Sequence, residues 1–125
     1  MKAGALSGML AVIFGAFGTH ALKKIIPADD LSIYETAVRY QFYHSFALIV
    51  TGILFYLKPV PLMIKSGYAF IAGMIFFSGS LYGLAIRSCL NANLMWLGPL
   101  TPVGGLFLIT GWTLLFFSLR NFKNS

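Results

Sequence analysis

Charge is scarce in this 125-residue sequence and cysteine scarcer still: 3 acidic residues, 9 Lys and Arg, and the single Cys89. One cysteine excludes an intramolecular disulfide and a cysteine-rich metal site, so cysteine usage assigns no redox compartment. No activating pattern surrounds Cys89, which reads as a small packing residue rather than a nucleophile. A Ser-His-acid motif is also missing, and the glycines lie in apolar stretches rather than in phosphate-cradling loops, so neither hydrolysis nor phosphate chemistry is supported. The net charge of +6 could suggest nucleic acid, but the basic residues are scattered singly or in pairs rather than gathered on one stripe. They read instead as anchors flanking a membrane. With 58% hydrophobic and 10% charged residues, the composition lies outside the soluble range.

What remains is four uncharged runs. A helix crossing hydrocarbon about 30 Å thick needs about 20 apolar residues. Such runs lie between Lys2 and Lys23, Arg39 and Lys58, Lys65 and Arg87, and Arg87 and Arg120, the last containing a loop. They predict one all-α transmembrane domain with helices near 3–22, 32–57, 66–86 and 98–119. The first run also fits a secretory signal peptide, but its regular small-residue face suits a helix kept in the bundle. Prolines in Lys58-Pro59-Val60-Pro61 stop the second helix. Ser32 with Glu35 fits a capping box, with Glu35 set to pair with Arg39 and with Tyr34, Tyr40 and Tyr43 as interfacial anchors.

Short connections make sequential helices antiparallel neighbours, so both termini are expected on one side. That side carries Lys2, Lys58, Lys65, Arg120 and Lys123, and the other carries Lys23, Lys24, Arg39 and Arg87 with all the acidic residues. The slight basic excess predicts cytoplasmic termini.

Apolar helices gain little by hiding from lipid, so close approach through small residues must hold them together. On helix one, Gly4, Gly8, Ala11, Gly15 and Gly18 form a continuous groove; Gly79 and Gly83 on helix three, and Gly104 and Gly111 on helix four, offer further small faces. Packing within the chain is the expected use, with homo-oligomerisation the alternative.

Polar residues gather toward the end opposite the termini: His20, Gln41, Tyr43, His44, Ser78, Ser80, Tyr82 and Thr101. Along helix two, Tyr34, Ala37, Gln41, His44, Leu48 and Thr51 share one face by helical spacing. Polar groups at membrane depth normally face the bundle interior or a wet cavity, so a polar pocket is expected there. Placing His20 and His44 at similar depth on neighbouring helices allows three readings. They lock the helices by hydrogen bonding; they ligate haem iron or a divalent metal; or, with nearby Tyr and Gln, they bind a quinone or lipid headgroup. No Cys-x-x-Cys-His attachment and no buried carboxylate accompany them.

Four ordered motifs carry a resemblance over nearly the whole chain: Gly15-Ala-Phe-Gly-Thr-His20, Tyr34-Glu-Thr-Ala-Val-Arg-Tyr-Gln-Phe-Tyr-His44, Phe77-Ser-Gly-Ser-Leu-Tyr82, and Thr101-Pro-Val-Gly-Gly105 followed by Gly111-Trp112. These resemble the domain of unknown function 423 family, small bacterial inner-membrane proteins typified by YgdD and YwdK and related to a eukaryotic transmembrane group. The resemblance implies a four-helix, multi-pass membrane protein without an established activity, and brings no catalytic residue. Thr19 stands where the family pattern has Ala.

The expectation is therefore a non-enzymatic membrane component, either accessory to other membrane subunits or associated with lipids. The competing reading is a haem-, metal- or quinone-binding protein using His20 and His44 with Gln41, Tyr43 and Tyr82 around them. Transport of a small solute would need an oligomer, because four helices make too narrow a bundle to alternate access alone.

Overall fold

The computed structural model describes residues 1–91, 93–120 and Phe122; Lys123 lies outside them. Four helices are long and apolar enough to cross a membrane, and there is no strand among the described residues. They are α1 (Lys2–Leu22), α2 (Ala28–Leu57), α3 (Pro61–Ile86) and α4 (Leu100–Arg120), the last preceded by a 3-10 turn at Met95–Leu97.

The helices begin where backbone chemistry lets them, not where charge first disappears. Pro27, extended at φ −60° and ψ 156°, is the N-cap of α2, and Asp29 and Asp30 occupy its first turn, where the helix dipole favours acid. The expected start at Ser32 is thus four residues late, and the capping box does not form. The Ser32 carbonyl accepts from Thr36 Oγ1 at 3.0 Å, as it does inside a helix. At the other end Lys58 is extended, as a residue before proline must be. Pro61 then opens α3, where its missing N–H costs nothing. The first turn of α3 therefore precedes the apolar run that begins at Ser66. At 30 residues, α2 is about 45 Å long, well over a hydrocarbon core.

Packing is unequal. The buried core of Ala47, Leu48, Phe70, Leu108 and Leu115 belongs to α2, α3 and α4, and α1 contributes nothing to it. Only 6% of the apolar window of α1 is buried, against 33%, 28% and 22% for the other three. What α1 has instead is its glycine groove. A Cβ at Gly4 would lie 2.8 Å from both the Ser45 carbonyl and Ile49 Cγ1, and one at Gly15 would lie 3.1 Å from Val38 Cγ1. At Gly18 it would run into the Tyr34 hydroxyl. The groove is filled by α2. Gly104 and Gly111 admit the Phe76–Phe77 backbone and the Phe70 ring of α3, Gly83 admits Leu97, and Gly73 admits Leu108. Gly79 is different, with nothing within 4 Å of its Cβ position.

These contacts fix the register. Gly18 meets Tyr34, Gly15 meets Val38 and Gly4 meets Ser45 along α1 and α2; Ser78 bonds Ala37, and Arg87 bonds Asp30, along α2 and α3. Met1 sits beside Gly52, and Lys58 Nζ donates to the Phe122 carbonyl at 2.7 Å, so both ends of the described chain lie near the α2–α3 turn. Arg39 stands opposite Phe14 and Phe76, not level with Lys23 and Arg87 as a membrane-flank residue would be.

Adding one methyl separates the glycine roles. Gly104→Ala drives a Cβ into the α3 backbone and should destabilise the protein by about 1–3 kcal/mol, whereas Gly79→Ala should leave stability unchanged. Unfolding of both variants in mild detergent checks this, and equal losses would refute the assignment.

Candidate functional site

The buried residues of α2 include Tyr34, Ala37, Gln41, His44, Leu48 and Thr51, the face that helical spacing groups together. Two polar clusters grow from it in different directions. Toward α1, Gln41 Nε2 donates to the Ser7 carbonyl at 2.9 Å, and Gln41 Oε1 accepts from the Tyr82 hydroxyl of α3 at 2.6 Å. Ser45 Oγ lies 2.8 Å from Ser7 Oγ and 2.6 Å from the Gln41 carbonyl. One glutamine thus ties three helices. Toward α4, His44 Nδ1 lies 2.7 Å from the Tyr40 carbonyl, while His44 Nε2 accepts from Trp112 Nε1 at 3.1 Å. The second bond fixes the tautomer: Nε2 is the acceptor, and Nδ1 carries the proton to the backbone.

A third feature lies farther along α1. Residues Phe14–Gly18 form a π turn, and the Phe14 carbonyl accepts both the Thr19 N–H that closes the turn and the Tyr34 hydroxyl at 2.7 Å. Gly18 leaves the space that this hydroxyl occupies. Tyr34 is therefore buried, not an interfacial anchor, and its ring meets that of Tyr82 edge-on at 5.3 Å.

Placement of the expected site residues is mixed. Gln41 and Tyr82 come together; Ser78 caps the Ala37 carbonyl at 2.9 Å; Ser80 and Thr101 pair at 2.6 Å between α3 and α4. Tyr43 points outward, 54% exposed, and touches Tyr40. His20 is exposed and lies beyond Gly18, hence beyond Tyr34, whereas His44 is level with Ser7. About 12 residues, or roughly 18 Å, separate the two imidazoles along the helix axis. The expectation of similar depth is wrong, and one chain does not bring them to a common metal or haem. Among the described residues no group of three His, Cys, Asp or Glu is placed to hold a metal. Glu35 and Arg39 do not pair either: Arg39 Nη2 donates to Thr36 Oγ1 at 3.2 Å. The ion pair formed among the described residues is Arg87 with Asp30, at 3.2 Å, joining the end of α3 to the one buried residue in the first turn of α2.

Since α1 and α3 each pack on α2 and meet one another through side chains such as Ser7 with Met74 and Phe14 with Tyr82, a cleft runs between them. Its middle section, about 270 Å³, is lined by Ser7, Gln41, Ser78, Gly79 and Tyr82 among apolar residues. A section of about 210 Å³ continues past Leu48 and Ile71 toward Met1 and Met63. Another of about 280 Å³ lies among Phe14, Tyr34, Tyr82 and Ile86. On the other flank of α1, Gly15, Thr19, Glu35, Val38 and Arg39 line a separate cavity of about 260 Å³.

A family model described as a protein of unknown function (DUF423) matches residues 14–105, the stretch holding Tyr34, Gln41, Tyr82 and Thr101. The chain belongs to this family. Curated relatives carry the name UPF0382 membrane protein. One from Staphylococcus aureus is 40% identical over 119 residues, covering 95% of this chain and 93% of its own length. YwdK of Bacillus subtilis is 36% identical over 113 residues, covering 90% and 88%. A relative from Schizosaccharomyces pombe is 38% identical over 110 residues, covering 86% and 90%. No solved structure matches the chain significantly. Like these relatives this family member is a membrane protein, and its four apolar helices make it multi-pass.

Sequence reasoning passed over Ser7, Ser45 and Trp112. Ser7 sits among the small residues of α1, and only the register of α1 on α2 reveals its partner. Trp112 lies in a quoted family motif, yet its indole N–H needs a buried acceptor, which could have drawn it to His44.

Interhelical hydrogen bonds in membranes average about 0.6 kcal/mol and reach about 1.7. Tyr82→Phe and Gln41→Leu should each destabilise within that range. A double-mutant cycle in detergent should show coupling between them, and strictly additive losses would contradict the bond.

Proposed function

We propose that this is a non-enzymatic, lipid-associated membrane protein that holds one amphipathic molecule in the cleft between α1 and α3. The observation that carries the reading is the cleft itself, apolar along its length with Ser7, Gln41 and Tyr82 near its centre. Between Ala3 and Phe14 it extends for roughly 16 Å, about one leaflet of hydrocarbon. That suits an apolar chain bearing one hydrogen-bonding group, the chemistry shared by lipid esters and quinones. The Gln41 amide nitrogen donates to the Ser7 carbonyl at 2.9 Å and lies 3.4 Å from Ser7 Oγ, so the second contact is long and a ligand acceptor would compete with the Ser7 hydroxyl for it. The arrangement offers hydrogen bonding without a nucleophile or general base poised on a reacting atom.

The membrane proposed is the cytoplasmic membrane in a bacterium, with the termini in the cytoplasm. The basic residues Lys2, Lys58, Lys65, Arg120 and Lys123 on the terminal side, against Lys23, Lys24 and Arg87 at the other flank, support that orientation. Partners would meet the protein within the bilayer, as lipids or as helices of other subunits.

Gly79 supplies the test, because a larger side chain there enters open space. Native mass spectrometry from mild detergent should find one retained amphipathic molecule on the wild type and none on Gly79→Leu, at an unchanged melting temperature. A bare wild type, or full retention by the variant, would end this reading. For orientation, green fluorescent protein fused after the last residue should fluoresce and alkaline phosphatase fused there should be inactive; the reverse pattern would invert the topology.

A further inference from the structure

We propose that Arg39, with Thr19 and the lysines at the end of α1, forms a binding site for the phosphate of an anionic membrane lipid. The inference does not depend on the cleft between α1 and α3, because it concerns the opposite flank of α1.

The first observation is depth. Val38 packs against Gly15 and Ala37 bonds Ser78, so Arg39 lies opposite Phe14 and Phe76. From there α1 continues uncharged to Leu22 and α3 to Ile86, eight and ten residues farther toward that face of the membrane. Arg39 is thus submerged by roughly 12–15 Å relative to the ends of its neighbours. A guanidinium at such depth is costly unless it snorkels or finds an anion.

The second observation is what surrounds it. Arg39 is exposed toward the lipid side and donates to Thr36 Oγ1 at 3.2 Å, one turn outward, while no carboxylate among the described residues pairs with it. The rest of its planar fork is open, the geometry that suits two phosphate oxygens. Beside it is the cavity of about 260 Å³, where Gly15 keeps the α1 wall low and Thr19 supplies a hydroxyl. Lys23, one turn beyond Thr19 on the same face, adds positive charge outward of the cavity, and Lys24 follows it in the chain. Glu35 also lines the cavity and opposes an anion, so the site is net positive but weakened by one carboxylate.

Depth selects the source of the phosphate. Free phosphate would have to leave water, whereas a lipid phosphate is already held at the bilayer face and can be drawn down beside α1 with its acyl chains along the helix.

The test uses the full chain in nanodiscs of phosphatidylcholine doped with phosphatidylglycerol, released and weighed by native mass spectrometry. The wild type should retain phosphatidylglycerol preferentially. Arg39→Gln should reduce that preference about tenfold or more without lowering the melting temperature, and Arg39→Lys should keep part of it. Glu35→Gln should increase retention, an effect that a purely structural role for Arg39 does not produce and that stands even should Arg39→Gln fold poorly. No preference in the wild type, an unchanged preference in Arg39→Gln, or displacement of the lipid by millimolar inorganic phosphate would overturn the proposal. Gly79→Leu should leave this preference intact, which separates failure here from failure of the cleft reading.

Discussion

The attachment of α1 to α2 is the constraint on which the rest of the molecule depends. In water an apolar helix is driven onto a core; in lipid it is not, and α1 shares no part of the core formed by α2, α3 and α4. What holds it is backbone proximity and polar bonds. Gly4, Gly15 and Gly18 let α2 come close, and Ser7, Gln41, Ser45 and Tyr34 bond across the seam. The π turn belongs to the same seam. One wider turn at Phe14–Gly18 presents the Phe14 carbonyl to Tyr34 while Gly18 makes room for the ring. A helix fastened along a single seam leaves both of its flanks open, and the two cavities beside α1 follow from that.

The opposite half of the bundle solves association differently. Between α3 and α4, Gly73, Gly104 and Gly111 admit Leu108, the Phe76–Phe77 backbone and Phe70, and Ser66 donates to the Gly111 carbonyl at 2.7 Å. His44 is clamped there by Trp112, with the Phe70 ring 5.7 Å away. This histidine has both nitrogens committed and large rings against it, so it reads as a fastening of α2 to α4. Gln41, one turn earlier on the same buried face, bonds α1 and α3 instead and borders the cleft. Neighbouring polar residues of one helix thus serve two unlike surfaces, which is why a single polar pocket does not describe them.

Much of this was legible in the sequence, and the failures share a cause. Uncharged runs mark the four helices because charge is expensive in lipid, and the small-residue face of α1 marks its seam because close backbone approach is one of the few ways to bring helices together there. The buried face of α2 followed from helical spacing alone. Register did not follow, because depth was inferred from where charges stop. If the uncharged run after Arg39 marked where helix two enters the membrane, His44 would fall beside His20. The hairpin fixes register otherwise: α2 starts directly after Pro27, so the end of α1 lies against the first turns of α2, and His44 comes level with Ser7. A short connection identifies the neighbour, but only the helix start gives the depth. The π turn was invisible for a related reason, since its cause is a tyrosine on another helix.

The same stagger explains why the charged residues at the start of α2 meet different fates. Asp30 faces α3, where Arg87 closes that helix, and burial of the carboxylate is offset by the ion pair and by its place in the first turn of a helix. Glu35 and Arg39 lie on the other flank, beside α1, whose contribution there is a glycine and a threonine. One set of charges is answered by the protein. The other is turned toward lipid at a depth where water is scarce, and α1, which carries no acidic residue, has nothing with which to neutralise the arginine. A chain this poor in acidic residues can compensate a submerged arginine from within only through Glu35, and the observed geometry sends Arg39 to Thr36 instead. On the proposal above, the compensating anion comes from the membrane, and the composition that makes the chain insert would also make it select among lipids.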